Sequence, residues 1–120
     1  MAWDKNKQLV DNANTFKITA QTGTAYTLVL TDKGKLVTMT NASANVLTVP
    51  ANATVAFATG TVIVVKQGGA GVTTITASAG VTLNDVVAGS GAILAQYYDA
   101  TLIKTATNTW VVSGTIGSVV

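Results

Sequence analysis

Arginine, glutamate, histidine and cysteine are all missing from this 120-residue chain. Each absence removes a class of chemistry. Without His and Cys there is no ordinary zinc, copper, haem or iron-sulfur site, and no Ser-His or Cys-His nucleophile pair. Without Arg the bidentate fork preferred for phosphate and guanine is lacking, so the net charge of +2 and pI near 9.1 are weak support for nucleic-acid binding. Seven scattered Lys residues solvate a surface. With no Cys there is no disulfide framework, which fits folding in a reducing cytosol.

Charge is also scarce, at 10% of residues, while the mean hydropathy is +0.45. That combination leaves little to cover the surface of a small monomer, so partner chains are expected to cover part of it. The N-terminus has no apolar core of signal-peptide length and no later run reaches 18 apolar residues, so a soluble, non-secreted protein with no membrane partner is expected. The length suits one domain.

Ala, Thr and Val make up nearly half of the chain, and β-branched residues suit a pleated surface better than a helix. From Tyr26 to Lys66 short apolar segments alternate with polar turns: Thr31-Asp32-Lys33-Gly34-Lys35, Asn41-Ala42-Ser43-Ala44-Asn45 and Pro50-Ala51-Asn52-Ala53. This spacing predicts consecutive antiparallel strands. Strands are predicted near Tyr26–Leu30, Leu36–Thr40, Val46–Val49, Thr54–Phe57, Val62–Lys66, Thr73–Ala77, Val81–Leu83, Ala92–Tyr98, Thr101–Thr105 and Thr109–Ser113. Leu28, Leu30, Val49, Phe57, Ile63 and Trp110 are the expected core. Val62-Ile63-Val64-Val65 and Trp110-Val111-Val112 are apolar on both faces, which suggests burial by the core on one side and by a subunit neighbour on the other. No clean repeat of 20 to 50 residues is present, which argues against a solenoid or propeller. The expected fold is all-β, a single-domain antiparallel β-sandwich or squashed barrel of jelly-roll type.

Residues 1–24 differ from the β-sandwich domain expected over 25–120. Five of the first seventeen residues are Lys or Asp and three are Asn. An extended N-terminal arm is expected, with Trp3, Leu9, Val10 and Phe16 as its apolar anchors for a capsid or subunit surface. A frayed terminus is the bland alternative, and Phe16 to Ala20 alternates as a first strand would.

No constellation points to catalysis. Asp4, Asp11, Asp32, Asp85 and Asp99 are the only acidic side chains, and each sits in or beside a predicted turn or terminus rather than as a paired acid and nucleophile. Asn84-Asp85 lacks the alternating oxygen ligands of a calcium loop. Gly68-Gly69-Ala70-Gly71 lacks the Gly-Lys-Ser or Gly-Lys-Thr ending of a phosphate loop, and its glycines are expected to serve positive-φ turns. Tyr97-Tyr98 would place one ring in the core and leave the other available for stacking. No catalytic, metal or cofactor-binding residues, and no cofactors, are expected.

The blocks YTLVLTDKGKLVTMTNASANVLTVP, FATGTVIVVKQGGAGVTTITASAGVTLN and AQYYDATLIKTATNTWVVSG, in that order, resemble a small all-β module of tailed-bacteriophage virion proteins. The module occurs in short head proteins and in long tail fibres. The short chain fits the former, so the resemblance implies a non-enzymatic capsid decoration or cement protein. Such a protein would be a homotrimer on the outer capsid surface of the virion, folded in the host cytoplasm and partnered by the major capsid protein. The alternative is a tail-fibre or tail-tip adhesin module binding host surface glycans. A tail-associated glycan hydrolase is disfavoured by the absence of Glu and of paired Asp.

Overall fold

The computed structural model describes residues 16–120, and the Thr- and Val-rich segments among them form strands. These are β1 (Ile18–Gln21), β2 (Ala25–Thr27), β3 (Leu36–Met39), β4 (Asn45–Val49), β5 (Val62–Gln67), β6 (Thr73–Ala77), β7 (Thr82–Leu83), β8 (Val86–Val87), β9 (Ser90–Ala92), β10 (Asp99–Ala106) and β11 (Thr109–Gly114). One sheet has the order β1-β3-β5-β10-β11-β7-β8 and the other β2-β4-β6-β9. Among the described residues helix is confined to a single 3-10 turn, Leu30–Asp32.

Up to β6 the chain alternates between the sheets, and that alternation sets strand direction. A connection through the opposite layer reverses the chain twice, so it re-enters its own sheet parallel to the strand it left. Accordingly β1 pairs parallel with β3 and β3 with β5, while β2 pairs parallel with β4 and β4 with β6. The second half folds back. β7 and β8 form a hairpin, β9 lies antiparallel to β6, and β10 lies antiparallel to both β5 and β11.

The fold is therefore all-β, and its sheets are mixed. The expectation of consecutive antiparallel strands is corrected, because neighbours in sequence through β6 belong to opposite sheets. The argument against a coiled repeat is corrected for the same half. Ile18 stands beside Leu36 and Leu36 beside Val64, so one coil advances 18 residues and the next 28, which no fixed period reveals. Residues 1–24 include β1, and its hydrogen-bonded register with β3 starts the seven-stranded sheet at Ile18.

Alternation along the strands turns Val37, Met39, Ile63, Val65, Leu102, Trp110 and Val112 of one sheet toward Leu47, Val49, Ile75 and Ala77 of the other, in a single core. Of the expected core, Leu28, Val49, Phe57, Ile63 and Trp110 are buried. Leu30 is not, at 50% exposed, because β2 ends at Thr27 and Leu30 opens the 3-10 turn. The strand expected over Thr54–Phe57 is also absent. Phe57 enters the core from a loop, with Thr54 and Val55 N–H groups both donating to the Ala51 carbonyl in a turn.

The coil brings the turn after β5 against the turn after β3. Gly68 and Gly69 N–H groups both donate to the Met39 carbonyl, and the Gly71 N–H to the Asn41 carbonyl. A Cβ at Gly69 would strike the Thr40 carbonyl, and one at Gly71 the Ser43 carbonyl. These glycines serve close backbone approach rather than positive φ, which falls instead at Gly34, Gly60, Gly80 and Gly114. Behind the stacked turns the buried Asn45 accepts from the Thr73 hydroxyl at 2.6 Å, and its amide donates to the Ser43 and Gly71 carbonyls. The buried Gln67 accepts from the Thr73 N–H and donates to the Gly69 carbonyl, so the polar corner is fully paired.

Candidate functional site

Three of the four expected arm anchors, Trp3, Leu9 and Val10, lie outside the described residues. The fourth, Phe16, is 61% exposed and stands just before the edge strand β1. The structure thus places Phe16 at one margin of the seven-stranded sheet, where the Leu36 N–H donates to the Lys17 carbonyl at 2.9 Å.

Turns around Asp32 and Asn52 are natural places to seek a surface contact, since Asp and Asn favour exposed turns. Both are used inwardly instead. Asp32 is buried, and its Oδ2 accepts from the Tyr26 hydroxyl at 2.6 Å and from the Val29 N–H at 2.9 Å, closing the 3-10 turn. Burial first, then the hydrogen bond to Asp32 and its negative charge, hold the Tyr26 phenol well above its ordinary range. A phenol whose folded value is raised contributes stability that is fully present below the unfolded value and lost as pH rises through the folded one. Stability is therefore expected to fall as pH rises beyond about 10. Tyr26→Phe should abolish that decline, read by thermal melts across alkaline pH.

Asn52 belongs to a second inward cluster. Lys104, on the inner face of β10, is 2% exposed. Its Nζ donates to Asn52 Oδ1 at 2.6 Å and to the Phe57 carbonyl at 2.7 Å. The Asn52 N–H donates in turn to Asn108 Oδ1 at 2.7 Å. The cluster ties the loop between β4 and β5 to the β10–β11 hairpin, whose Asn108 has a φ of 55°. A buried ammonium that loses an acceptor suffers more than a neutral group would. Asn52→Ala is accordingly expected to destabilise by about 2 to 3 kcal/mol, and Lys104→Met by less, because Met brings no charge to desolvate. Urea denaturation of the two variants compares them.

Neither Tyr97 nor Tyr98 enters the core: they are 66% and 49% exposed. The expectation of one ring inside is corrected because the segment is a turn, not a strand. Tyr97 has a φ of 71°, its N–H donates to the Gln67 carbonyl, and the Gln67 N–H donates to the Tyr98 carbonyl. The pinned backbone therefore leaves both rings exposed.

The outer faces of both sheets mix apolar and hydroxyl side chains, and on the four-stranded sheet one outward row is Ala25, Val46, Thr74 and Ala92. On the four-stranded sheet Thr27, Thr48, Thr76 and Ser90 stand in one cross-strand row, with Thr76 and Ser90 hydroxyls 2.9 Å apart. On the seven-stranded sheet one row runs Ile18, Leu36, Val64, Thr101 and Ser113, and the next runs Val62, Ile103 and Val111. Sequence reading found the apolar character of β5 and β11 on both faces. It missed that Ile18, Leu36 and Ile103 join them, because that depends on register between distant strands.

Among the described residues no three His, Cys, Asp or Glu side chains converge as metal ligands, and no helix is long and apolar enough to cross a membrane. Every buried side-chain nitrogen and oxygen described has a hydrogen-bond partner. The polar groups of the interior are thus committed to holding turns and loops, and the surfaces open to interaction are the Phe16 margin, the tyrosine turn and the outer sheet faces. No protein-family model matches the chain, and no curated protein matches it.

Proposed function

We propose that the protein is a non-enzymatic structural component of a bacteriophage virion, a capsid decoration or cement protein. In this reading it sits as a homotrimer on the outer capsid surface, contacts the major capsid protein and stabilises the shell. The sequence resemblance motivates it. The observation that carries it further is the disposition of polar groups: Asp32, Asn45, Gln67 and Lys104 are buried and spent on hydrogen bonds within the fold. Exposed Phe16, Ile18, Val62, Ile103 and Val111 offer surface suited to packing.

Binding only the assembled shell stabilises that state by mass action, and three simultaneous footholds add avidity. The residues ahead of β1 serve as the attachment segment, with Trp3, Leu9, Val10 and Phe16 as anchors. Ordering such a segment costs about 1 to 2 kcal/mol per fixed residue, so it holds where the capsid offers apolar pockets or strand edges. Co-sedimentation with capsids lacking the protein tests this reading. The full chain should pellet with the capsids and raise their disruption temperature, and a chain lacking residues 1–15 should fold yet bind weakly. Full-affinity binding by the shortened chain would move the contact onto the β domain.

A second reading, a tail-fibre or tail-tip adhesin module, is favoured by one observation, the exposure of both Tyr97 and Tyr98, rings that suit stacking on a sugar. Loss of glycan-array binding on Tyr97→Ala with capsid binding absent would select it.

A further inference from the structure

We propose that the open edge of β1 is a strand-addition site, where an extended, acidic segment of a partner protein pairs with the seven-stranded sheet. The inference deepens the capsid reading above and rests on it for the partner, the major capsid protein. β1 is the marginal strand of its sheet and pairs on one side only, with β3. The Lys17 and Gln21 carbonyls accept from the Leu36 and Thr40 N–H groups, at 2.9 Å each. Backbone groups of successive residues point to opposite sides of a strand, so Ile18 and Ala20 turn their N–H and C=O groups outward. Among the described residues nothing pairs with them.

The other margins supply the contrast. On the four-stranded sheet β9 is sealed by residues 115–120: Ser90 and Val120 exchange N–H···O bonds at 3.0 Å, and the Gly117 N–H donates to the Ala92 carbonyl at 2.8 Å. The far margin of the seven-stranded sheet, β8, is only two residues long, and the open strand β2 is three. Folds blunt their edges by covering them, shortening them, or placing Pro or charge within the strand. β1 has none of these devices. It runs Ile-Thr-Ala-Gln over four residues, without Pro or charge.

Charge identifies the occupant. Ile18 and Leu36 are register partners, so Lys17 and Lys35, one residue earlier on each strand, stand side by side, with Lys33 in the turn just before them. Like charges on neighbouring strands repel. No described carboxylate side chain is placed to offset them: Asp32 is buried and bonded to Tyr26 and Val29, Asp85 lies in the β7–β8 hairpin, and Asp99 is the register partner of Lys66. A partner strand with carboxylates beside these lysines removes the repulsion while its backbone fills the edge. Its alternate residues, on the opposite face, meet Ile18 and Phe16, which are 65% and 61% exposed, and are therefore apolar. Nucleic acid fits less well, because phosphates accept hydrogen bonds without donating and leave the outward carbonyls of Ile18 and Ala20 unpaired. A second copy brings the same lysines to the contact.

The test follows the backbone amides of the full, isotopically labelled chain by NMR hydrogen exchange, with a synthetic peptide of alternating valine and glutamate as the probe. In the free chain the Ile18 and Ala20 amides should exchange fast, and those of Thr19 and Gln21, turned toward β3, slowly. The peptide should shift and protect Ile18 and Ala20, more strongly at low salt than at high salt, and a valine–lysine peptide should not. Ala20→Pro removes an outward N–H and leaves the β3 side intact. It should keep its β circular dichroism and lose about tenfold or more in affinity for the peptide and for capsids, while Ala20→Val, which keeps the N–H, should bind as the natural chain does. Slow exchange at Ile18 and Ala20 in the free chain, no response to the valine–glutamate peptide, an equal response to a single-stranded oligonucleotide, or a folded Ala20→Pro that binds capsids undiminished would each overturn the inference. Capsid co-sedimentation separates this failure from that of the proposed function. A chain that pellets with capsids but whose β1 edge ignores the peptide sinks the strand addition only, and one that takes the peptide at β1 but ignores capsids sinks the function only.

Discussion

Trp110→Ala is expected to destabilise the protein by about 3 to 5 kcal/mol. Trp110 is buried on the inner face of β11, and its ring meets Phe57 edge-to-face with centroids 5.6 Å apart and planes at 89°. Phe57 comes from the loop between β4 and β5 rather than from a strand. Removing the indole therefore opens a cavity and releases the loop that Lys104 also holds. For a domain of this size the melting temperature should fall by roughly 10 to 25 °C. Phe57→Ala should cost about 3 kcal/mol or more, and the double variant less than the sum, because the two rings share a contact. A strictly additive double variant would show that the edge-to-face contact contributes nothing. Ser113→Ala, outward on the same strand, should change stability by less than about 0.5 kcal/mol.

Gly71→Ala is the second large effect, expected at about 2 to 3 kcal/mol. Its Cβ would strike the Ser43 carbonyl, and a backbone atom cannot swing aside as a side chain can. The same displacement would disturb the Gly71 N–H bond to Asn41 and the Asn45 amide bond to the Gly71 carbonyl. Gly23→Ala is the control. Its nearest neighbour to a new Cβ is the Ala25 carbonyl at 3.8 Å, so it should be neutral or slightly stabilising. Equal melting temperatures for the two variants would show that the turns after β3 and β5 are not in close contact.

Much of this was legible in the sequence. Period-two alternation located β3, β4, β5, β6, β10 and β11, and it gave the inward side of Val49, Ile63 and Trp110. Strand direction was not legible, since alternation fixes which face a residue takes and not whether its neighbour runs with it or against it. The coils also advance by unequal lengths, because the loop from Pro50 to Thr61 folds into the structure while the turn before β3 is short. Burial without a strand explains Phe57: the Val55 and Phe57 alternation was real, but the loop delivers the ring. Turn chemistry misled in the other direction at Asp32 and Asn52. Side chains that favour turns also bond to backbone and to Lys104, and sequence cannot show which side of the chain the turn faces. The glycines at 68, 69 and 71 were recognisable as necessary, but their reason, the carbonyls of Thr40 and Ser43, lies in the neighbouring coil.

The surfaces follow the same pattern. The double-sided apolar character of Val62 to Val65 and Trp110 to Val112 was visible in the linear chain. Their merger with Ile18, Leu36 and Ile103 into one face required the register. The anchors Trp3, Leu9 and Val10 come from composition alone.

The most direct measurement for the proposed function is a density map of the intact virion at a resolution that shows β-sheets. Three-lobed β density of about three 12.2 kDa chains at the junctions of the outer capsid shell is the expected result. A bare capsid surface, with the same β density located on the tail, would contradict the decoration reading.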